Sequence, residues 1–349
     1  MANLELLQGI EKIKDSYTKI NTSLTNLNND IINIPHGLYR NAIINGGFNI
    51  WQRGTSFTST GYTADRWRYI RGAGSSAIIS QSELSPEEIP DAKSKYYLRW
   101  QHTTAGTSGS AIIQRIEDVH TFAGNVVTFS FYAKADNPKN FNVYLTQNFG
   151  TGGSSSVITP IQSFTVTTMW SRYAFKFTLP SIVGKTIGPN SYLEVGIFEE
   201  NNYSTFDVGL AEFQLNTGDV ALPFQPRHIA EELELCRRYC QVLGGGEASQ
   251  GFGAGGYGVS VTSSAAFIFI PLRPRGRIVP SVSASGSFSL NLPGSGNVSV
   301  TSLTLNSGLS TPDMVVLQAN TSGSLTPGQM GYLQAVDNAN ARIILDMEL

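Results

Sequence analysis

The stretch Val126-Val-Thr-Phe-Ser-Phe-Tyr132 alternates apolar and polar side chains with a period close to two. β-Branched and aromatic residues in this pattern are typical of a β-strand that buries one face. The pattern recurs at Phe141–Leu145, Ser171–Thr178 and Tyr192–Phe198, with Gly, Asn and Pro in the gaps. Many short strands without a helical period between them predict a mainly β protein built on an antiparallel sandwich, and its length suits a single jelly roll.

The composition agrees with a β-rich chain and excludes several classes of protein. The 349 residues include 35 glycines, and only 14% are charged. The net charge of -2 argues against a nucleic-acid partner, because such a partner requires a basic face. We expect neither membrane insertion nor a secretory signal, since long apolar runs and a basic leader are absent from the sequence. Two cysteines are too few for a disulfide-built scaffold.

Residues 1–35 follow a different period. Their apolar residues are separated alternately by four and three positions: Leu6, Ile10, Ile13, Tyr17, Ile20, Leu24, Leu27, Ile31 and Ile34. A period of 3.5 predicts a coiled coil, and isoleucine at both core positions without a buried Asn favours three or more strands. Pro35 ends the predicted helix. The alternative is a single amphipathic helix that packs on the domain after it.

Two further segments follow the predicted sandwich, which spans residues 36–228. Residues 229–246 are predicted as a short helix and glycine hinge, because His228 to Leu243 has apolar residues at helical spacing and Gly244-Gly-Gly246 follows. Residues 247–349 contain nine charged residues and no lysine. Alternating stretches such as Phe288–Leu292 predict a smaller C-terminal β-sandwich there.

Sequence patterns for catalysis are absent. The chain has no Gly-x-Ser-x-Gly elbow, phosphate-binding loop or His-Glu-x-x-His pair, and its four histidines are scattered. The adjacent acids Glu87-Glu88, Glu199-Glu200 and Glu231-Glu232 are interpreted as solvated charge, because neighbouring side chains point apart. Cys236 and Cys240 are predicted to be a buried thiol pair on one helix. We therefore expect no enzymatic activity, no cofactor and no metal.

Aromatic residues are the candidates for ligand contact. The glycine-rich stretch Gly251–Gly258 carries Phe252 and Tyr257, which could stack on sugar rings from a mobile loop. It could equally be a linker whose aromatics dock on a neighbouring domain. Trp100 and Tyr203 complete the set of candidate carbohydrate-binding residues. In a sandwich, however, most tryptophans are expected to lie in the core.

Several motifs together resemble a known family. Asn41-Ala-Ile-Ile-Asn-Gly-Gly-Phe-Asn-Ile-Trp-Gln-Arg-Gly-Thr-Ser-Phe57 and Tyr62-Thr-Ala-Asp-Arg-Trp67 resemble the opening segment of bacteriophage tail fibre and receptor-binding proteins. These proteins carry a jelly roll like a carbohydrate-binding module. Gln214-Leu-Asn-Thr-Gly218 and Glu231-Glu-Leu-Glu-Leu-Cys-Arg-Arg-Tyr239 resemble its last strand and helix. Asn216 stands where an acid is common in the family, which weakens any metal site carried over from it.

The resemblance implies a non-catalytic homotrimer in the virion tail, assembled in the host cytoplasm and exposed outside the cell. Its partners would be other phage tail or baseplate proteins and a host cell-surface polysaccharide. Three linked sites would raise avidity without tighter single sites. We expect Arg53, Asp65 and Arg66 to hold the opening segment in place rather than to bind ligand. The alternatives are a structural adaptor that binds only virion proteins and, ranked last, a depolymerase.

Overall fold

The computed structural model describes residues 11–12, 14–24, 40–90, 92–199, 203–244, 256–336 and 341–349. The seam residues Leu6, Ile10, Ile13, Leu27, Ile31 and Ile34, and the candidate ligand residue Phe252, lie outside these ranges. The described helices include none that is long and apolar enough to cross a membrane.

Residues 40–217 contain the predicted sandwich. Its strands are β1 (Ser56–Phe57), β2 (Gly61–Tyr62), β3 (Trp67–Ile70), β4 (Ser76–Glu83), β5 (Tyr96–Thr104), β6 (Ala111–Glu117), β7 (Val126–Ala135), β8 (Lys139–Asn148), β9 (Val157–Ile158), β10 (Gln162–Val166), β11 (Ser171–Thr178), β12 (Tyr192–Glu199) and β13 (Phe206–Thr217). One sheet has the order β1-β4-β5-β13-β7-β11, and the other has the order β10-β8-β12-β6-β3-β2 with β9 paired to β8. All pairings within these two sheets are antiparallel, as predicted.

The two sheets share one aromatic core. Phe129 and Phe131, at alternate positions of β7, are completely buried and pack against Phe213 of β13. From the other sheet, β8 contributes Phe141 with the same inward orientation. The period of two in the sequence therefore identifies the core face of these strands correctly.

The segment after the sandwich differs from the prediction. Helix α2 (Ile229–Arg237) is shorter than the predicted helix, and residues after it form strand β14 (Cys240–Gly244). Strand β14 pairs with β22 (Arg342–Asp346), which also pairs with β17 (Ser281–Ser285). Cys236 and Cys240 thus lie on a helix and a strand instead of one helix, although both are free and buried as predicted. Long-range strand pairing outweighs the helical spacing of the last turn.

The C-terminal region forms a closed barrel instead of the predicted sandwich. Its strands are β15 (Tyr257–Ser260), β16 (Ala265–Pro271), β18 (Phe288–Leu292), β19 (Gly296–Leu305), β20 (Met314–Thr321) and β21 (Met330–Ala335). They close in the order β15-β16-β20-β19-β18-β21. Glycine at 258 allows β15 to approach β16, since a Cβ there would lie 2.0 Å from the Phe267 carbonyl oxygen. Closure removes the exposed edges that a small open sheet would have.

The N-terminal helix α1 comprises residues 14–24 and does not bury its apolar stripe among the described residues. The side chains of Tyr17, Ile20 and Leu24 are 66%, 58% and 58% exposed. The coiled coil and the alternative of a helix packed on its own domain both stay predictions.

A buried ionic cluster joins the sandwich to the end of the chain. The Glu348 carboxylate pairs with Arg66, and it lies 3.4 Å from the Arg53 guanidinium. The predicted role of Asp65 is also structural: it accepts hydrogen bonds from the backbone N–H and the side-chain amide of Gln52. Arg66 is therefore held by a carboxylate almost 300 positions away, which the local motif does not indicate.

Candidate functional site

Trp100, predicted as a carbohydrate-binding residue, has no exposed surface. Its ring packs in the core against Tyr69, Phe141 and Phe206, with centroids 5.0–6.3 Å away. A side chain in this position cannot contact a sugar, so this assignment is wrong. A tryptophan at an inward position of a strand usually belongs to the core, as it does here.

The other two described candidates are accessible but lie far apart in the fold. Tyr257 is 59% exposed on the outside of the barrel, where its ring meets that of Tyr332 edge to face. Tyr203 is half-buried at the end of the sandwich, and its backbone carbonyl accepts a hydrogen bond from Gly106. The described residues do not join Tyr203 and Tyr257 into one site.

The prediction that Glu199 is a solvated charge is wrong. Its side chain is completely buried, and its carboxylate lies 3.2 Å from the Lys139 ammonium. His102 is buried beside it and stacks on Phe206. Glu232 is also buried and pairs with Arg227 at 3.2 Å. These carboxylates have ionic partners inside the protein, so the residues do not form a pair of facing glycosidase acids.

Part of the outer face of the six-stranded sheet is covered by other parts of the chain. Leu84 and Ile89, which follow β4, lie against Ala211 of β13. Trp170 lies over Gly209, where a Cβ would come within 2.8 Å of the indole. The segment after β13 is tied to this sheet by the Gln214 amide, which donates to the Leu222 carbonyl. These contacts cover the part of this face around β13, while outward residues of β11 such as Arg172 and Lys176 stay exposed.

The outer face of the seven-stranded sheet carries an accessible aromatic pair. Tyr144 of β8 and Phe198 of β12 stack with centroids 3.9 Å apart and an interplanar angle of 12°. Both side chains are half-buried, and their neighbours in sequence point into the core. Gly196 lies opposite Tyr144 in the β8–β12 register, and a Cβ there would lie 2.3 Å from the Ile112 carbonyl oxygen. We call Tyr144, Phe198 and the polar residues around them the sheet platform.

Fixed polar groups surround this pair. The hydroxyls of Ser163 and Thr165 on β10 donate to the side-chain oxygens of Asn142 and Asn140 on β8. On the other side, the Arg115 guanidinium donates to the Glu194 carboxylate at 3.0 Å. The amide N–H groups of both asparagines remain available as donors, because their oxygens take the internal bonds.

The Arg115–Glu194 pair also lies beside a second aromatic residue, Tyr192. The Arg115 guanidinium lies 4.4 Å from the centroid of the Tyr192 ring. Partial burial raises the pKa of the Tyr144 hydroxyl, and the nearby Glu194 carboxylate raises it further. Burial also raises the pKa of Tyr192. Both phenols therefore stay neutral near pH 7 and act as hydrogen-bond donors.

The arrangement suits a ligand that has an apolar ring face and a rim of hydroxyl groups. Aromatic rings provide the contact area, while amides and hydroxyls fix orientation. Sequence reasoning missed Tyr144 and Phe198, although a signal was present. Each occupies an outward position of an alternating strand, where a large aromatic side chain has no role in the core.

Nothing in the described residues favours a metal. They contain no group of three or more His, Cys, Asp or Glu side chains that could hold one. Asn216, identified as a departure from the family pattern, is buried, and its amide donates to the carbonyls of Thr217 and Val220.

Part of the sandwich matches a known family model. Residues 41–196 match the family model described as a carbohydrate binding domain. Strand β8, which carries Tyr144 of the sheet platform, lies entirely within this range. Among curated proteins, none matches the chain.

Solved structures resemble the chain at low identity. A structure described as "CBM4 structure and function" is 18% identical, with coverage of 50% of this chain and 98% of that one and a TM-score of 0.34. The CBM22-1 xylan-binding domain from Paenibacillus barcinonensis Xyn10C is 17% identical, with 48% and 94% coverage and a TM-score of 0.30. The enzymatically active domain of bacteriophage CBA120 tailspike protein 4 is 13% identical, with a TM-score of 0.34, and the match covers 52% of this chain and 22% of that one.

Proposed function

We propose that this chain binds a polysaccharide through the sheet platform without cleaving it, and that it serves as a homotrimeric receptor-binding protein of a bacteriophage tail. The polysaccharide would belong to the surface of the host cell. The observation that carries the proposal is the accessible stack of Tyr144 and Phe198 on the uncovered face of a sandwich that matches a carbohydrate binding domain.

The polar surroundings support a sugar rather than an apolar ligand. Asn140 and Asn142 offer amide donors in fixed orientations, because Ser163 and Thr165 hold their oxygens. A hydroxylated ring can satisfy such donors, whereas an apolar ligand would leave them without partners. The neighbouring Arg115–Glu194 pair is internally neutralised, so the platform does not require a charged sugar.

The trimeric state is supported by the N-terminal seam. Three of its residues are described, and all three side chains are more than half exposed on α1. A helix of this kind gains most of its stability from an apolar partner surface, and an identical copy provides one with the same heptad spacing. Trimerisation also suits attachment, since individually weak sugar contacts then act together.

The attachment role in a phage tail rests on the resemblance of the opening segment and of the last strand and helix. Those motifs occupy structural positions here: Asp65 bonds to Gln52, and Arg66 pairs with Glu348. Their presence around a sandwich with an accessible platform agrees with a passive binding module of a virion protein.

The proposal is tested with the intact protein on an array of bacterial surface polysaccharides, followed by calorimetry on any ligand found. A Tyr144→Ala, Phe198→Ala double variant should weaken binding by at least about tenfold, since aromatic contacts contribute roughly 1 kcal/mol each or more. The control variant is Tyr257→Ala, which removes an exposed aromatic residue from the barrel. It should bind like the unmodified protein.

Two results would overturn the assignment. Undiminished binding by the double variant would exclude the sheet platform, and a loss confined to Tyr257→Ala would transfer the site to the barrel. An absence of binding to every polysaccharide by the intact oligomer would favour the structural adaptor. Release of new reducing ends during incubation would contradict the non-catalytic role.

A further inference from the structure

Arg68 on β3 is a half-buried arginine on the same face of the sandwich as the sheet platform. Its neighbours Trp67 and Tyr69 are completely buried in the aromatic core, so the Arg68 side chain projects from the outer face of the seven-stranded sheet. Burial raises the pKa of the Tyr192 hydroxyl on this face, whereas the positive charges of Arg115 and Arg68 oppose that rise. The charge of Arg68 therefore acts on the surroundings of the sheet platform.

The Arg68 guanidinium has no acidic partner in the described part of the chain. Neither a hydrogen bond nor an ion pair joins it to another described side chain. The arginines around it differ, because Arg66 pairs with Glu348 and Arg115 pairs with Glu194. A guanidinium is always charged and has five N–H donors. Arg68 thus lacks the anion that each of its neighbours has.

An oxygen atom at the end of this face is already used by other residues. The Leu349 carbonyl oxygen accepts a hydrogen bond from the Tyr62 hydroxyl at 2.7 Å and another from the Arg115 guanidinium at 2.9 Å. Tyr62 on β2 lies directly opposite Arg68 in the β2–β3 register. The end of the described chain therefore provides a partner for Tyr62 and Arg115 and leaves the donors of Arg68 to a ligand.

The strand registers place Arg68 in one row with Tyr144. Arg68 on β3 lies opposite Ile113 on β6. Gly196 on β12 in turn lies opposite Ile113 on one side and opposite Tyr144 on the other. Neighbouring strands are about 4.8 Å apart, so the backbones at Tyr144 and Arg68 are separated by about 14 Å. A polysaccharide that crosses the strands from the aromatic pair therefore runs toward Arg68.

We infer that Arg68 binds the carboxylate of an acidic sugar unit, further along the same polysaccharide from the unit that stacks on Tyr144 and Phe198. This inference rests on the sheet platform of the proposed function and names its substrate class, an acidic polysaccharide. The Arg115–Glu194 pair is neutralised within the protein, so the charge requirement comes from Arg68. The planar fork of a guanidinium matches the two oxygens of a carboxylate.

The test compares acidic polysaccharides with their carboxyl-reduced forms, in which each carboxylate becomes a neutral alcohol and the rest of the sugar is retained. The probes are polygalacturonate, hyaluronan, alginate and any acidic polysaccharide that the array yields, and calorimetry on the full chain measures their binding. Arg68→Gln removes the charge, and Arg68→Lys keeps the charge without the fork. The matched control is Arg71→Gln, which removes the same charge from an exposed position just beyond β3.

We expect carboxyl reduction to weaken binding to the unmodified protein at least about tenfold, as the loss of hydrogen bonds to a charged group requires. Arg68→Gln should weaken binding to the acidic form by a similar factor and leave binding to the reduced form unchanged. Arg68→Lys should restore part of the affinity. Arg71→Gln should bind both forms like the unmodified protein.

Three results would overturn the role of Arg68 and leave the sheet platform intact. They are equal affinities for acidic and reduced forms, binding of the acidic form by Arg68→Gln at full strength, and binding confined to neutral polysaccharides. A loss of affinity on removal of phosphate groups, without a loss on carboxyl reduction, would exclude the carboxylate as the partner of Arg68. An absence of binding to every polysaccharide would refute the proposed function, and this inference with it.

Discussion

Replacing Glu348 by Gln should destabilise the sandwich, although the residue lies at the far end of the chain. The Glu348 side chain is 3% exposed and pairs with Arg66, which is 1% exposed, and with Arg53, which is 7% exposed. The neutral amide leaves two buried guanidinium groups without that charge. Breaking a buried pair by removing one partner costs about 3–5 kcal/mol, because the remaining charge stays desolvated.

The size of this loss is large compared with the total stability of a protein domain, about 5–15 kcal/mol. The assay is equilibrium unfolding in urea followed by tryptophan fluorescence. All four tryptophans lie between positions 51 and 170, so the signal reports on the sandwich. A substitution of Glu348 alters this unfolding transition only if the ionic cluster couples the end of the chain to the sandwich.

The matched control is Asp313→Asn. Asp313 lies 3.7 Å from Arg275, and the two side chains are 63% and 65% exposed. Solvent screens such a pair, and its removal should cost less than about 1 kcal/mol. Equal midpoints for Glu348→Gln and Asp313→Asn would refute the reasoning, because burial would then have no effect on the contribution of the carboxylate.

Three further predictions concern helix α1, the loss of stability at acidic pH and the aromatic core of the sandwich. Ile20→Asp with Leu24→Asp should shift the sedimentation mass toward the monomer, and an unchanged mass would show that the β domains associate without α1. For Glu117, burial opposes ionisation, but hydrogen bonds from Arg238 and Tyr239 outweigh it and lower the pKa of Glu117 below 4.5. The folded state then binds fewer protons than the unfolded state, so this contribution is complete above pH 4.5 and disappears as the pH falls through the lowered value. Glu117→Gln should reduce the loss of unfolding free energy at acidic pH, measured by urea unfolding, by about 1 kcal/mol or less, since the pair is partly exposed. An unchanged dependence of that free energy on pH would contradict the assignment. Phe131→Ala should cost about 3–5 kcal/mol in calorimetric unfolding, because its buried ring leaves a cavity, and a loss below 1 kcal/mol would show that the core collapses around it.

Strand periodicity predicted most of the sandwich. Ser171–Thr178 has the same bounds in the sequence prediction and in the structure, and Val126–Tyr132 was extended by three residues to Ala135. These predictions succeeded because the side-chain period of a half-buried strand is local information. The predicted helix to Leu243 failed for the opposite reason, since residues 240–244 form a strand through pairing with the end of the chain.

The candidate site shows the same division. The sequence indicated that aromatic residues would bind ligand, but it selected Trp100, whose inward position in β5 places it in the core. The outward positions of Tyr144 and Phe198 were readable from strand alternation, but only the β8–β12 register showed that the two rings stack on each other.

The sequence by itself determined which residues form strands and which face of each strand is apolar, because both follow from side-chain spacing along a few neighbouring residues. Tertiary structure alone decided that the C-terminal sheet closes into a barrel, that Arg66 pairs with Glu348, and that one face of the sandwich stays open. These features depend on contacts between residues far apart in the chain, and local periodicity does not encode which distant segments will meet.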